Sequence, residues 1–228
     1  MTEGYFPADR PALTVDVVIF RLTGGQLQTL LVRRAGPPYK NRWAIPGGFV
    51  RADEGLDDAA RRELFEETGL ADVYLEQLYT FGGPKRDPRG RVVSVVYFAL
   101  IGGEERTLKA GDDAADARWH PMAGLPELAF DHKAILNYAL KRLRYKLEYS
   151  AVGFELLPAE FTLAELQTAY EIILGEPLDK RNFRRRILEA DVIEETQNYR
   201  TGQVGPRALL YRYRPDAVAE VKTRRLFP

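Results

Sequence analysis

Three glutamates set the chemistry open to this chain. Glu63, Glu66 and Glu67 stand at i, i+3 and i+4, a spacing that brings all three to one side of a helix, within reach of a common point. On a helical wheel Glu63 and Glu67 fall with Leu56, Ala59 and Ala60, Glu66 lies at the edge of that face, and Asp58, Arg61 and Phe65 lie opposite. A solvated acidic face is the common arrangement for a Glu-rich helix, but here the acids are expected on the packed side. Buried carboxylates need protons or cations beside them. Oxygen donors with no His or Cys nearby suit Mg²⁺ or Mn²⁺ better than zinc.

The elements that must position these acids are marked in the flanking sequence. Gly55 is an acceptable helix N-cap, Asp57 and Asp58 sit where the helix dipole favours negative charge, and Gly69 suits a left-handed C-terminal residue. Ahead of the helix, residues 37–42 read as a loop and residues 43–49 lead into the helix, with Gly47 and Gly48 permitting close backbone approach to a ligand.

Gly48, Glu54, Arg62, Glu63, Leu64, Glu66, Glu67, Gly69 and Leu70 fill every fixed position of a pattern that resembles the Nudix box of the Nudix hydrolases. The resemblance implies a hydrolase with Glu63, Glu66 and Glu67 as metal-binding and catalytic residues and the Gly47 carbonyl as a further metal ligand. It also implies architectural roles for Gly48, Glu54, Arg62 and Gly69, with Glu54 paired to Arg62. An additional acid often comes from a later loop, where Glu104, Glu105, Asp112, Asp113 and Asp116 are open candidates.

Around the box, residues 13–20 and 27–34 read as strands joined across Gly24 and Gly25, and residues 74–83, 91–101 and 117–121 as three more. Residues 91–101 are apolar enough for a strand covered on both faces. Arg33 ends the second strand beside Arg34, and Arg86 and Arg89 lie in a charged turn before the fourth; all are candidates for an anionic substrate, although exposed loops carry such charges routinely. From Asp131 to Tyr149, Leu136, Leu140, Leu143 and Leu147 form the stripe of an amphipathic helix.

The 228 residues carry 33 basic and 33 acidic side chains and no cysteine. Zero net charge leaves no global field for nucleic acid or membrane binding, and a thiolate site is excluded. No leader or membrane-spanning stretch is evident, so a cytoplasmic location is expected.

Beyond residue 150 the pattern changes. Thr162 and Glu165 form a capping-box pair before a helix ending near Gly175, and Asp179 caps a second helix from Lys180 to Ala190 with Phe183, Ile187 and Ala190 on its apolar face. Arg181 and Arg185 lie opposite. Two short strands, 192–196 and 208–213, follow around a Gly-rich loop. Helix, turn, helix and hairpin is the order of a winged helix-turn-helix, which can place its second helix in a DNA major groove. From Lys180 onward twelve basic residues face six acidic ones, a local excess of six that suits phosphate or guanine contacts. Arg181, Asn182, Arg184, Arg185 and Arg207 are the candidate DNA contacts. A dimerisation module with a solubilising surface is the alternative.

The whole order, with residues 179–187 and 210–213, resembles the Nudix-related transcriptional regulators of NAD metabolism and their sugar-responsive relatives. This implies an α/β (α+β) protein: an α/β/α sandwich on a mixed sheet over residues 1–150, then a small winged helix-turn-helix over 151–228. It further implies ADP-ribose or a similar nucleoside diphosphate derivative as ligand, a double-stranded operator and a homodimer. Many such regulators carry damaged boxes, whereas this one is complete. A housekeeping pyrophosphatase and a non-catalytic repressor remain the alternatives.

Overall fold

Alternating β-branched and aliphatic residues fold the start of the chain into a hairpin. In the computed structural model, which describes residues 10–71, 73–102, 116–149, 151–200 and 207–214, β1 (Ala12–Thr23) and β2 (Gln26–Arg33) flank Gly24 and Gly25. Both glycines have positive φ, 56° and 70°, which glycine adopts without steric cost.

A seven-stranded mixed sheet runs in the order β3 (Trp43–Ala44), β2, β1, β6 (Val92–Ile101), β5 (Tyr74–Phe81). β4 (Gly47–Phe49) pairs antiparallel with β1, setting Gly47 opposite Asp16, and β7 (Ala117–Pro121) pairs with β2. Thr14–Phe20 of β1 and Ser94–Ile101 of β6 are continuously buried, as expected of strands covered on both faces. β3 and β4 are strands that the sequence did not announce. With two and three residues they are too short to show a period, and they exist by pairing with β2 and β1.

α1 (Leu56–Thr68) follows the expected limits, with Gly55 as N-cap and Gly69 left-handed at φ 70°. Its buried face carries Ala59, Ala60, Glu63 and Leu64, and it packs on β4. α2 (His132–Tyr149) buries Leu136, Ala139, Leu143 and Leu147.

Packing groups the described residues into two compact units, the first within 1–19, 29–99 and 107–137, the second within 20–28, 100–106 and 138–228. In the second, α3 (Leu163–Leu174) opens with a complete capping box: Thr162 Oγ1 accepts from Glu165 N at 3.1 Å and Glu165 Oε2 accepts from Thr162 N at 2.8 Å. α4 (Lys180–Glu189) is capped by Asp179, which accepts from Asn182 N at 2.8 Å. β8 (Ile193–Arg200) and β9 (Ala208–Tyr213) form an antiparallel ribbon. Phe161 joins it through two backbone bonds with Tyr211. Phe154, Phe161, Tyr170, Ile173, Phe183 and Ile187 fill the core of this winged helix-turn-helix. No helix among the described residues is long and apolar enough to cross a membrane.

Candidate functional site

Arg62 organises the box. Its Nε and Nη2 donate to Glu54 Oε2 and Oε1 at 2.9 and 2.6 Å, and Nη1 donates to Glu63 Oε1 at 2.7 Å and Glu66 Oε2 at 3.0 Å. Glu54 also accepts from Arg51 N at 2.8 Å, so the 49–54 loop is fastened to the helix. Hydrogen bonds from Arg62 and from the Arg51 amide hold the Glu54 carboxyl down at about 2. Glu63 behaves oppositely: burial pushes its carboxyl up, against the opposing effect of Arg62. Gly48 makes room for it, since a Cβ there would lie 2.2 Å from Glu63 Oε1.

The three acids are not equivalent. Glu63 is buried, Glu67 half-buried and lining a cleft, and Glu66 exposed, held by Arg62 and by Arg51 at 3.4 Å. Among the described residues no three acids, histidines or cysteines form a compact metal-type group, because Arg62 occupies the space between Glu63 and Glu66. The donor types nonetheless fit a hard divalent cation: Glu67 and Gly47 line one cleft, and the buried Glu63 carboxylate lies against Gly48.

The cleft has a volume of about 350 Å³ and lies between the box and the loops after β2 and β5. Arg33, Arg86 and Arg89, expected to meet substrate, all line it, and so does Arg34. Their situations differ. Arg33 is exposed, with Nε donating to Asn41 O at 3.2 Å. Arg34 is half-buried, donates to Pro38 O at 2.8 Å and lies 4.8 Å above the Phe130 ring. Burial and the charge of Arg89 lower its proton affinity. Arg89 is clamped by Asp87 at 2.7 Å, which lowers the carboxyl and raises the guanidinium; its Cζ sits 5.5 Å from the Phe49 ring and 5.7 Å from Phe130.

Arg86 corrects the picture of an exposed turn charge. Its side chain is 5% exposed and makes two bonds to Asp131, at 3.0 and 2.9 Å, with Asp16 Oδ2 at 3.6 Å. Asp16 also accepts from Ser94 Oγ. His132 completes this cluster: its Nδ1 accepts from Ile45 N at 2.9 Å, and burial pushes its proton affinity down. Asp16, Asp131, His132 and Phe130 were not singled out by sequence. Asp16 alone had a signal, as the one charge inside the apolar run Thr14–Phe20.

Of the acidic loop, Glu104, Glu105, Asp112 and Asp113 lie outside the described residues. Asp116 pairs with Arg118 at 2.6 Å, and its carbonyl accepts from Arg33 N at 2.7 Å.

On α4, Arg181 and Arg185 are exposed, opposite Phe183 and Ile187. Arg185 is engaged by Glu189 at 3.3 Å and by Asn182 Oδ1 at 2.8 Å. Arg184 is half-buried, near enough to Tyr211 for its charge to act on that phenol. Arg207 is exposed just before β9.

Residues 11–141 match the NUDIX domain family and residues 153–213 the NrtR DNA-binding winged helix domain. The ADPR responsive transcriptional repressor NtrR of Acinetobacter baylyi is 44% identical over 207 residues, 89% of this chain and 82% of that protein. The chain belongs to the Nudix family and carries an NrtR-type winged helix. This NrtR-type chain also resembles the crystal structure of Shewanella oneidensis NrtR complexed with a 27mer DNA, with TM-score 0.81 and 38% identity, covering 94% of this chain and 99% of that one. The NUDIX domain of the same protein complexed with ADP ribose matches with TM-score 0.56 and 37% identity over 63% of this chain and 99% of that one. An ADP-ribose pyrophosphatase of Methanocaldococcus jannaschii is 43% identical over 128 residues, 56% of this chain and 72% of that enzyme.

Proposed function

We propose that this protein is a transcriptional regulator that binds ADP-ribose, or a closely related nucleoside diphosphate derivative, in its Nudix cleft and operator DNA through its winged helix. The observation that carries this reading is a cleft with Glu67, Gly47 and Gly48 of the box on one side and four arginines on the other, in a chain that continues into a helix-turn-helix. Arginines suit a diphosphate, and the repressor and the ADP ribose complex among the relatives support the ligand class.

The complete box supports hydrolysis of the same ligand to AMP and ribose 5-phosphate. Glu63, Glu66, Glu67 and the Gly47 carbonyl would hold Mg²⁺ or Mn²⁺, which supplies charge neutralisation of the diphosphate and a more acidic water. Arg33 and Arg89 would bind and orient the phosphates from the opposite wall, and Arg62 would keep the box loop closed over α1. A second reading, a sensor without turnover, draws on the exposed position of Glu66 and its bonds to Arg51 and Arg62.

In this proposal residues 1–150 serve ligand and residues 151–228 serve DNA. Arg181, Asn182, Arg184, Arg185 and Arg207 contact the operator as a symmetric homodimer in the cytoplasm. Titration of ADP-ribose, dinucleotides and nucleotide sugars, with formation of AMP and the other phosphomonoester products measured in the presence and absence of Mg²⁺ and a mobility-shift assay alongside, tests it. Failure to bind ADP-ribose sinks the ligand assignment; binding without Mg²⁺-dependent turnover selects the sensor; failure to shift DNA leaves a pyrophosphatase.

A further inference from the structure

Asp16 and His132 face one another across 4.0 Å, from His132 Nε2 to Asp16 Oδ1. Both line the cleft, although their side chains are 10% and 5% exposed. The separation is too long for a direct hydrogen bond. Among the described residues neither facing atom has a hydrogen-bond partner: Asp16 uses Oδ2 for Ser94 and Arg86, and His132 uses Nδ1 to accept from the Ile45 amide. That last bond fixes the tautomer. With Nδ1 accepting, the proton of the neutral ring sits on Nε2. The cleft therefore presents a donor and a carboxylate acceptor 4.0 Å apart, each held by partners distant in sequence: Ser94 and Arg86 for Asp16, the Ile45 amide for His132.

We propose that this pair is a subsite for a hydroxyl of the terminal ribose, the sugar that ADP lacks. One oxygen seated between the two atoms, at ordinary hydrogen-bond lengths of about 2.9 Å from nitrogen and 2.7 Å from oxygen, spans the gap with an angle of about 90°. A hydroxyl accepts from Nε2 and donates to Oδ1. A phosphate diester cannot donate and is repelled by Asp16, while an ammonium cannot accept from the ring. Arg86, fixed between Asp16 and Asp131, holds the carboxylate in place and is a positioning residue here. The subsite rests on the reading of the cleft as an ADP-ribose site and makes the terminal ribose the determinant of selectivity.

The test measures affinity for ADP-ribose and for ADP by calorimetry, in EDTA so that no turnover occurs. His132→Asn is the informative variant, because an Asn oxygen can still accept from the Ile45 amide while the Nε2 donor is gone. Asp16→Asn removes the acceptor charge. The wild type is expected to prefer ADP-ribose, and each variant to lose that preference by about tenfold or more; in His132→Asn, which changes no charge, ADP affinity stays within about twofold of wild type. An unchanged preference in His132→Asn overturns the subsite and indicates a bound water or a structural role, and equal losses for both ligands overturn it in favour of a group the two share, such as the adenosine ribose. Should a variant fail to fold, the wild type is titrated with an ADP-ribose analogue whose terminal ring carries no hydroxyls; affinity equal to ADP-ribose overturns the proposal. Wild-type protein that binds ADP-ribose and ADP alike fails the subsite alone, whereas binding of neither also removes the reading of the cleft.

Discussion

Arg62 grips Glu54 through both carboxylate oxygens, at 2.9 and 2.6 Å, while the same guanidinium reaches Glu63 and Glu66. One cation thus joins Glu54, on the loop ahead of α1, to two acids of the helix. The arrangement is electrostatically economical, and it makes the box sensitive to acid. Glu54 falls from an ordinary 4.5 to about 2 in the folded protein. A depressed carboxyl contributes stability that is fully present above its unfolded value and is lost as pH falls through its folded value. Urea midpoints of wild type and Glu54→Gln should therefore differ most at pH 5 and converge toward pH 2. A constant difference would show that the ion pair is not the source.

Gly48→Ala should cost about 1–3 kcal/mol, the usual range for overpacking. The added Cβ would meet Glu63 Oε1 at 2.2 Å and Cδ at 2.7 Å, and Glu63 is buried and tied to Arg62, so it has little freedom to retreat. Gly36→Ala, with nothing within 4 Å of the added atom, is the matched control in chemical denaturation. Equal midpoints for the two variants would contradict the packing.

Much of this arrangement is legible in sequence where the cause is local. Gly55 and Gly69 bound α1 because caps act within a turn, and Thr162 with Glu165 announces α3 for the same reason. The cleft is different. Arg86 looks like a loop charge until Asp131, 45 residues away, and Asp16, on another strand, come to meet it. His132 is one residue of an amphipathic helix until the Ile45 amide, 87 residues earlier, donates to it. The outward turn of Glu66 likewise follows from Arg51 and Arg62 rather than from the wheel, which placed it at the edge of the packed face. Helical spacing locates a side chain on a face; the partner that captures it comes from tertiary structure.

Glu67→Gln should reduce Mg²⁺-dependent hydrolysis of ADP-ribose by about a hundredfold or more, roughly 2.7 kcal/mol of activation free energy, with little change in melting temperature because the side chains are nearly isosteric. Glu66→Gln should do the same if the cation draws Glu66 from Arg62. AMP formation across a Mg²⁺ titration distinguishes weakened metal binding from a lost chemical step. Wild-type turnover in Glu67→Gln would remove this residue from the site.

Replacing Arg181 and Arg185 together by alanine should weaken operator binding and flatten its salt dependence by about two units in log–log slope, one for each phosphate no longer neutralised. Both side chains are exposed on α4, so melting temperature and hydrolysis should hardly move. Affinities measured between 50 and 200 mM salt supply the slope. An unchanged slope would place the DNA surface elsewhere.

Ligand and DNA should also be coupled reciprocally. A ligand shifts a DNA-binding equilibrium only by as much as its affinity differs between the competent and incompetent states, and DNA must then change ligand affinity by the same factor. Hydrolysis would obscure this reciprocity by consuming the effector, so the measurement calls for Glu67→Gln protein that still binds ADP-ribose. DNA affinity with saturating ADP-ribose and ADP-ribose affinity with saturating operator should change by equal factors, in the range of about 5- to 150-fold typical of allosteric coupling. Unequal factors would reveal a further state or a change in assembly, which sedimentation of each complex would resolve. If both factors are one while binding of each ligand is demonstrated, ADP-ribose is a substrate and not a signal. The winged helix would then answer to something other than the Nudix cleft, and the regulatory half of the proposal would fall while the hydrolytic half stood.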